Sequence, residues 1–406
     1  MKTYLIKYFV LGSEQVIFSF SNFFYLAVVA RRLPLAEFAE LSLGYTCYLI
    51  LIGAHHAVIC DPIIATGISA QDSQRSLLRR LWTINVSFCC LALAAGCALV
   101  LSSSTHEMQT LTVVALACLF FSFAGPVQFV RRIMHIQGHV QASAVAAAAY
   151  ATVLIVSAWM LPHVNLESHF AYTVPFILGN LVFLVSAWRN IPRKLNDNQN
   201  ISLKSHFRAG YSFLINNLLG LATTNIYPFV FVFLNSPEAV ASYRLMFAVI
   251  APFAQLLGGL SGFITPRIAV ARISQIETPH LLILALIVFA PLPLAVMAIW
   301  FGSDAASLIF GTKYVALGGS IPVALISTSF ALALATVSMW LRANHRLGLM
   351  QAGSLISAAI TAVIAIPSCL AFGVTGAFVS LAIANGAAAL WVVVKGASGR
   401  IRTQPG

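Results

Sequence analysis

Apolar runs of about twenty residues follow one another along almost the whole chain, separated by short polar turns. A run of that length is what a helix needs to cross the hydrocarbon core of a bilayer. Twelve can be marked, near 9–30, 39–60, 81–103, 108–130, 140–161, 169–188, 209–234, 240–265, 280–301, 317–341, 347–370 and 374–395. The pattern predicts an all-α polytopic membrane protein of about 12 transmembrane helices. Apart from a middle connection and an outer loop at 302–316, the links are turns. The start, MKTYLIKYFV…LAVVA, imitates a signal peptide with its basic end and apolar run. Glu14, Gln15 and Asn22 interrupt that run, and it is longer than a typical secretory core, so it reads as an uncleaved first span.

The polar residues divide this series into two. WRNIPRKLNDNQNISLKSHFR, residues 188–208, is the longest polar stretch and lies between the sixth and seventh runs. It separates an N-terminal six-helix lobe (1–188) from a C-terminal one (209–406), with 189–208 as a basic cytoplasmic linker. RIMHIQGHVQA (132–142) recurs as RANHRLGLMQA (342–352) at an offset of 210, matching at Arg132/Arg342, His135/His345, Gly138/Gly348, Gln141/Gln351 and Ala142/Ala352. The copies lie between spans four and five and between spans ten and eleven. An even number of crossings separates them, so the two halves form a parallel repeat. AEFAELSLGY (36–45) and EAVASYRLMF (238–247) give a fainter echo at an offset near 202. Each inner elbow is held by Arg and Gln hydrogen bonds with a glycine for the turn, or else offers its arginine to phosphate at the inner leaflet.

Composition agrees with lipid as the solvent. Of 406 residues, 60% are hydrophobic and 8% charged, with mean hydropathy +0.90. A soluble domain carries roughly a quarter charged residues. The net charge of +12 would suggest nucleic acid in a soluble protein, but inner loops of membrane proteins collect Lys and Arg. With the N-terminus inside, the inner side holds Lys2, Lys7, Arg75, Arg79, Arg80, Arg131, Arg132, Arg189, Arg193, Lys194, Lys204, Arg208, Arg267, Arg272, Arg342, Arg346, Lys395, Arg400 and Arg402. The outer side holds Arg31, Arg32, Arg244 and Lys313, a split of 19 to 4. Both termini are therefore expected in the cytoplasm, and the charge needs no nucleic acid. The cysteines (47, 60, 89, 90, 97, 118 and 369) fall in apolar runs without a metal-ligand or disulfide spacing. No metal and no cofactor are expected.

Charges within the spans are costly and few. Glu14, one to two turns inside span one, is either an ion-coupling carboxylate or a group that snorkels to the inner surface or caps a neighbouring helix. His55 and His56, near the inner end of span two and followed by Asp61, are its candidate partners. Arg244, inside the outer end of span eight, is either an anion contact or an interfacial snorkel. Arg31 and Arg32 would stand beside it as a basic outer rim if the halves pack by the repeat. Span seven carries Asn216, Asn217, Thr223, Thr224, Asn225 and Tyr227, of which Asn217, Thr224 and Tyr227 recur near helical spacing and could form one polar stripe. They would face a wet cavity and hydrogen-bond a polar substrate, with Tyr227 as a stacking platform, or act as interhelical glue. Breakers at Gly125–Pro126, Pro175, Pro228, Pro252, Pro291 and Pro293 permit kinks.

The chain resembles the polysaccharide-transport branch of the multidrug/oligosaccharidyl-lipid/polysaccharide (MOP) exporter superfamily, the Wzx-type flippases. The likeness rests on ARRLPLAEFAELSLGY, NSPEAVASYRLMFAVIAPFAQLLGGLSGFITPRIA, LIFGTKYVALGGSIPVALIS and LRANHRLGLMQAGSLISAAITAVIAIPSCLAFGVTGAFVSLAIANG in that order. It covers nearly the whole chain and is best in the second half. The resemblance implies two six-helix lobes in a V around a central cavity, with alternating access. It implies an undecaprenyl-pyrophosphate-linked oligosaccharide (an O-antigen, capsule or exopolysaccharide unit) moved to the outer leaflet of the bacterial inner membrane. It also implies membrane lipids and a polysaccharide polymerase or other assembly proteins as partners, and a monomeric protein.

Two other classes compete. A cation-coupled small-molecule exporter of the same superfamily expects acidic residues for cationic drugs, and here only Glu14 and Asp61 qualify. A membrane glycosyltransferase or polymerase needs catalytic groups in substantial loops, and the 302–316 loop carries only Asp304 and Lys313. No acid pair, phosphate loop or nucleotide site stands out, so the chain is expected not to be an enzyme.

Overall fold

The computed structural model describes residues 2–65, 72–102, 109–161, 169–188, 203–270, 278–344 and 346–398. They are helical throughout, with no strand among the described residues. In chain order the helices are α1 (Lys2–Arg32), α2 (Leu35–His55), α3 (Asp61–Ala65), α4 (Asp72–Ser102), α5 (Gln109–Ile136), α6 (Val140–Met160) and α7 (Val174–Ser186). They continue with α8 (Leu203–Phe233), α9 (Pro237–Val270), α10 (Thr278–Phe289), α11 (Pro291–Phe310), α12 (Ile321–Ala343) and α13 (Leu347–Ser398). A π turn, His56–Cys60, runs between α2 and α3, and 3₁₀ turns at His169–Thr173 and Thr312–Ser320 lead into α7 and α12.

Among the described residues, eight helices are long and apolar enough to cross a membrane. The chain is a multi-pass membrane protein. Expected spans one, six and seven are helical but fall outside that set. Glu14, Gln15 and Asn22 dilute α1, α7 has 13 residues, and α8 carries Asn216, Asn217, Thr223, Thr224 and Asn225.

α13 spans 52 residues, and Gly373 inside it has φ 55° and ψ −133°. The chain folds back there. Ser357 Oγ donates to Asn385 Oδ1 at 3.0 Å, and a methyl group on Gly353 would meet Val392. Both pairs are nearly symmetric about residue 372, as in an antiparallel hairpin. The runs 347–370 and 374–395 are thus two helices joined by one glycine. The expected outer loop at 302–316, by contrast, is largely helical. α11 continues through the apolar ASLIF to Phe310, and a 3₁₀ turn takes up Thr312–Ser320.

Prolines divide into two kinds. Pro126 and Pro228 lie inside α5 and α8. Pro175 and Pro291 stand in the first turns of α7 and α11, where the missing N–H costs nothing. Those two start helices instead of kinking them.

The chain divides into two compact units, Met1–Leu218 and Leu219–Gly406. The first is centred on Tyr45, Tyr48, Phe120 and Phe176. Phe120 and Phe176 meet edge to face at 4.9 Å, and Tyr45 stands 5.3 Å from Phe120. The quadrupoles of aromatic rings favour such edge contacts. In the second unit, Tyr243 stacks on Phe378 at 5.2 Å and lies 5.4 Å from Tyr227.

Candidate functional site

Charge inside the first unit gathers around Glu14, whose side chain is fully buried. Arg131 Nε donates to Glu14 Oε1 at 2.5 Å, His135 Nε2 donates to Oε2 at 2.6 Å, and Ser143 Oγ donates to Oε1 at 3.0 Å. Three helices supply these groups: α1 the carboxylate, α5 the guanidinium and imidazole, and α6 the hydroxyl. Arg131 and His135 are four apart and therefore share one face of α5. The Arg131 guanidinium also lies 4.2 Å above the ring of Phe18, one turn along α1 from Glu14. A buried carboxylate survives only when paired and hydrogen-bonded, and here three donors meet it.

Arg132 points elsewhere. Its Nη2 donates to Asp61 Oδ1 at 3.1 Å, binding α5 to α3 with both side chains partly exposed. Adjacent residues on a helix differ by about 100° in direction, so the doublet Arg131–Arg132 serves two carboxylates on two sides. His55 and His56 do not meet Glu14, and the imidazole partner is His135. His55 Nε2 instead donates to Asn85 Oδ1 on α4 at 2.7 Å.

The repeated motif therefore has two different physical forms. In the first copy Gly138 has φ +79° in the turn between α5 and α6, and Arg132 and His135 hold carboxylates. In the second, Gly348 lies in the opening turn of α13, so a tight turn does not explain it. At the offset of 210, Arg131 is replaced by Leu341 and Ser143 by Gly353. Leu341, Met350 and Val392 make an apolar core there, with Trp340, Leu347, Leu349 and Trp391 around it. Arg342 is half-buried, Arg346 Nη1 donates to the Gly396 carbonyl at 3.3 Å, and Gln351 is half-buried on α13. Gln141 is exposed on α6, and His345 lies outside the described residues. Of the middle linker, 189–202 lies outside them too.

The stripe on α8 is largely satisfied within the protein. Asn217 Nδ2 donates to the Gly53 carbonyl at 2.5 Å, and Thr224 Oγ1 to the Gly220 carbonyl at 3.1 Å. Asn225 Nδ2 reaches Thr224 Oγ1 at 3.1 Å. Tyr227 is fully buried and its hydroxyl donates to Ser380 Oγ at 2.8 Å. Its ring offers no face to a sugar in this conformation. The hydrogen bond to Ser380 ties α8 to α13.

Arg244 on α9 is buried, with its guanidinium 5.8 Å from the ring of Phe247, within cation–π range. Arg31 and Arg32 end α1 and are exposed. Three groups escaped the sequence reading: Arg131, Ser143 and Asn85. The i, i+4 spacing of Arg131 and His135 was the available signal for the first. Ser143 and Asn85 are ordinary polar residues in apolar runs and gave none.

No protein-family profile and no curated sequence matches the chain. Solved structures do. A MATE transporter in complex with MaD3S is similar over 96% of this chain and 95% of its own, with TM-score 0.70 and 15% identity. An inward-facing multidrug resistance MATE transporter of the MOP superfamily is similar over 96% of both chains, with TM-score 0.67 and 13% identity. The lipid II flippase MurJ, in an inward closed conformation, is similar over 94% of this chain and 87% of its own, with TM-score 0.63 and 13% identity. The chain shares the fold of these two transporters and this flippase.

Proposed function

We propose that the protein is a flippase that carries an undecaprenyl-pyrophosphate-linked oligosaccharide from the inner to the outer leaflet of the bacterial cytoplasmic membrane. The unit carried is a building block of O-antigen, capsule or exopolysaccharide. The fold shared with a lipid II flippase and with MATE exporters supports a transporter. The observation that carries the choice between them is the condition of Glu14 and Asp61. Arg131 and His135 hold the first, and Arg132 holds the second. A cationic drug needs a carboxylate to pair with, and both are already engaged by cations of this chain. With Arg131, Arg132, Glu14 and Asp61 set aside, the chain keeps 21 Lys and Arg against 9 Asp and Glu, and an anionic pyrophosphate suits that balance.

In this reading the chain crosses the membrane twelve times, α1, α7 and α8 included. Lobes 1–188 and 209–406 are joined by the cytoplasmic linker 189–208, and both termini are cytoplasmic. Arg244, with Arg31 and Arg32 as a basic rim, contacts the pyrophosphate, while Asn217, Thr224 and Asn225 lend their remaining hydrogen-bonding capacity to sugar hydroxyls. Glu14 is the ion-coupling carboxylate, and its exchange partner is His135. The protein works as a monomer beside a polysaccharide polymerase.

The test is leaflet-specific fluorescence quenching in proteoliposomes holding a fluorescent undecaprenyl-pyrophosphate oligosaccharide. Arg244→Ala is expected to slow flipping at least tenfold, with Arg244→Lys retaining part of the rate. Glu14→Gln is expected to abolish the response to an imposed pH gradient. Unchanged flipping in Arg244→Ala would remove the phosphate role from that residue.

A further inference from the structure

We propose that His55, His56 and Cys60 form a binding site for one thiophilic divalent cation of the zinc class. One ligand atom from each of the three lies within 4.8 Å of the others. A tetrahedral zinc, with nitrogen at about 2.0–2.1 Å and sulfur at about 2.3 Å, sets its ligand atoms about 3.3–3.6 Å apart, so side-chain shifts of about 1 Å would draw these three atoms around a common centre. The backbone explains the convergence. His56–Cys60 is a π turn, a local widening of the helix that is frequent at functional sites, and His55 precedes it directly.

A second observation points to a ligand. His55 is 7% exposed, and its Nδ1 is buried without a hydrogen-bond partner among the described residues. The other ring nitrogen, Nε2, donates to Asn85 Oδ1 at 2.7 Å. Cys89 Sγ points at the same oxygen from 3.7 Å, which agrees with its acting as an acceptor. Asn85 thus fixes the proton on Nε2 and leaves a lone pair on Nδ1. A ligating histidine almost always has such an outer partner on its second nitrogen.

The surroundings suit a buried site. Cys60 is 1% exposed and packs with Ile59, Ile63, Leu77, Phe129 and Ile133, which exclude water. The nearby arginines would repel a free cation, but Arg132 is paired with Asp61 and Arg131 with Glu14. On binding, the Cys60 S–H bond breaks, its proton leaves to solvent, and the thiolate sulfur donates to the metal. Two imidazole nitrogens and one thiolate leave a fourth position open.

The test uses the purified full chain in nanodiscs, stripped of metal and titrated with Co²⁺ alone, then with Zn²⁺ as competitor. Thiolate-bound Co²⁺ should give a near-ultraviolet charge-transfer band that saturates at one equivalent and is displaced by Zn²⁺. Cys60→Ser should abolish the band, while Cys118→Ser should keep it. Asn85→Leu should weaken binding by about 10- to 100-fold, as loss of an outer partner does. His56→Ala, at a half-buried position, is the second variant should Cys60→Ser fail to fold, and it should weaken binding at least tenfold. A folded wild-type protein that gives no band, or a band that survives both Cys60→Ser and His56→Ala, would overturn the site.

Discussion

Glu14 is where most of the first unit's polar chemistry converges, and its environment makes a sharp energetic statement. Removing one partner of a buried pair strands the other charge, at a cost of about 3–5 kcal/mol. Glu14→Gln and Arg131→Met are each expected to lower the thermal midpoint markedly in nanodiscs. The double variant should lose much less than the sum of the two, because neither charge is stranded. Additive losses would show that the two groups act separately. Tyr227→Phe removes one hydrogen bond, to Ser380, and should cost roughly 1 kcal/mol without changing transport more than twofold. A large transport defect would return Tyr227 to the substrate path. Glu14, Asp61, Arg132 and His135 were legible in the sequence because charged and titratable groups are rare in apolar runs. Who meets whom was not. Arg131 and Arg132 differ by one step along α5, and helix rotation alone decides that the first faces Glu14 and the second Asp61.

Among the helices, glycine separates the elements that the sequence had made to look alike. Gly138 has φ +79° and Gly373 has φ +55°, where a side chain is strained by roughly 1–2 kcal/mol. Gly348 lies within a helix and has open space around the position a methyl group would take. Gly138→Ala and Gly373→Ala are expected to lower the thermal midpoint, and Gly348→Ala to leave it unchanged or raise it. Equal effects at Gly138 and Gly348 would mean that the two elbows share one backbone form after all. The periodic pattern located the helices well, because length and apolarity carry that information. It misread 302–316, where the small polar residues Gly302, Ser303 and Asp304 looked like a loop but are carried inside α11. It also left the π turn at His56–Cys60 invisible, since nothing in local composition separates a π turn from an α turn.

At the scale of the molecule, hydropathy and the split of basic residues suffice to give the class of protein and its expected orientation. The fold agrees with transporters and flippases at 13–15% identity, a distance at which the backbone is retained while cavity side chains are free to change. In the proposed function, substrate choice belongs to those side chains, which is why the ordered helices do not spell it out. The central claim is that the cargo is a lipid-linked anion and not a small cation. One measurement separates these most directly. Wild-type proteoliposomes are assayed side by side for leaflet exchange of a fluorescent undecaprenyl-pyrophosphate oligosaccharide and for gradient-driven transport of a cationic dye. Protein-dependent exchange of the lipid, with dye movement no faster than in empty vesicles, is the predicted result. Dye transport by folded, inserted protein that leaves every lipid-linked glycan tested in its original leaflet would contradict it.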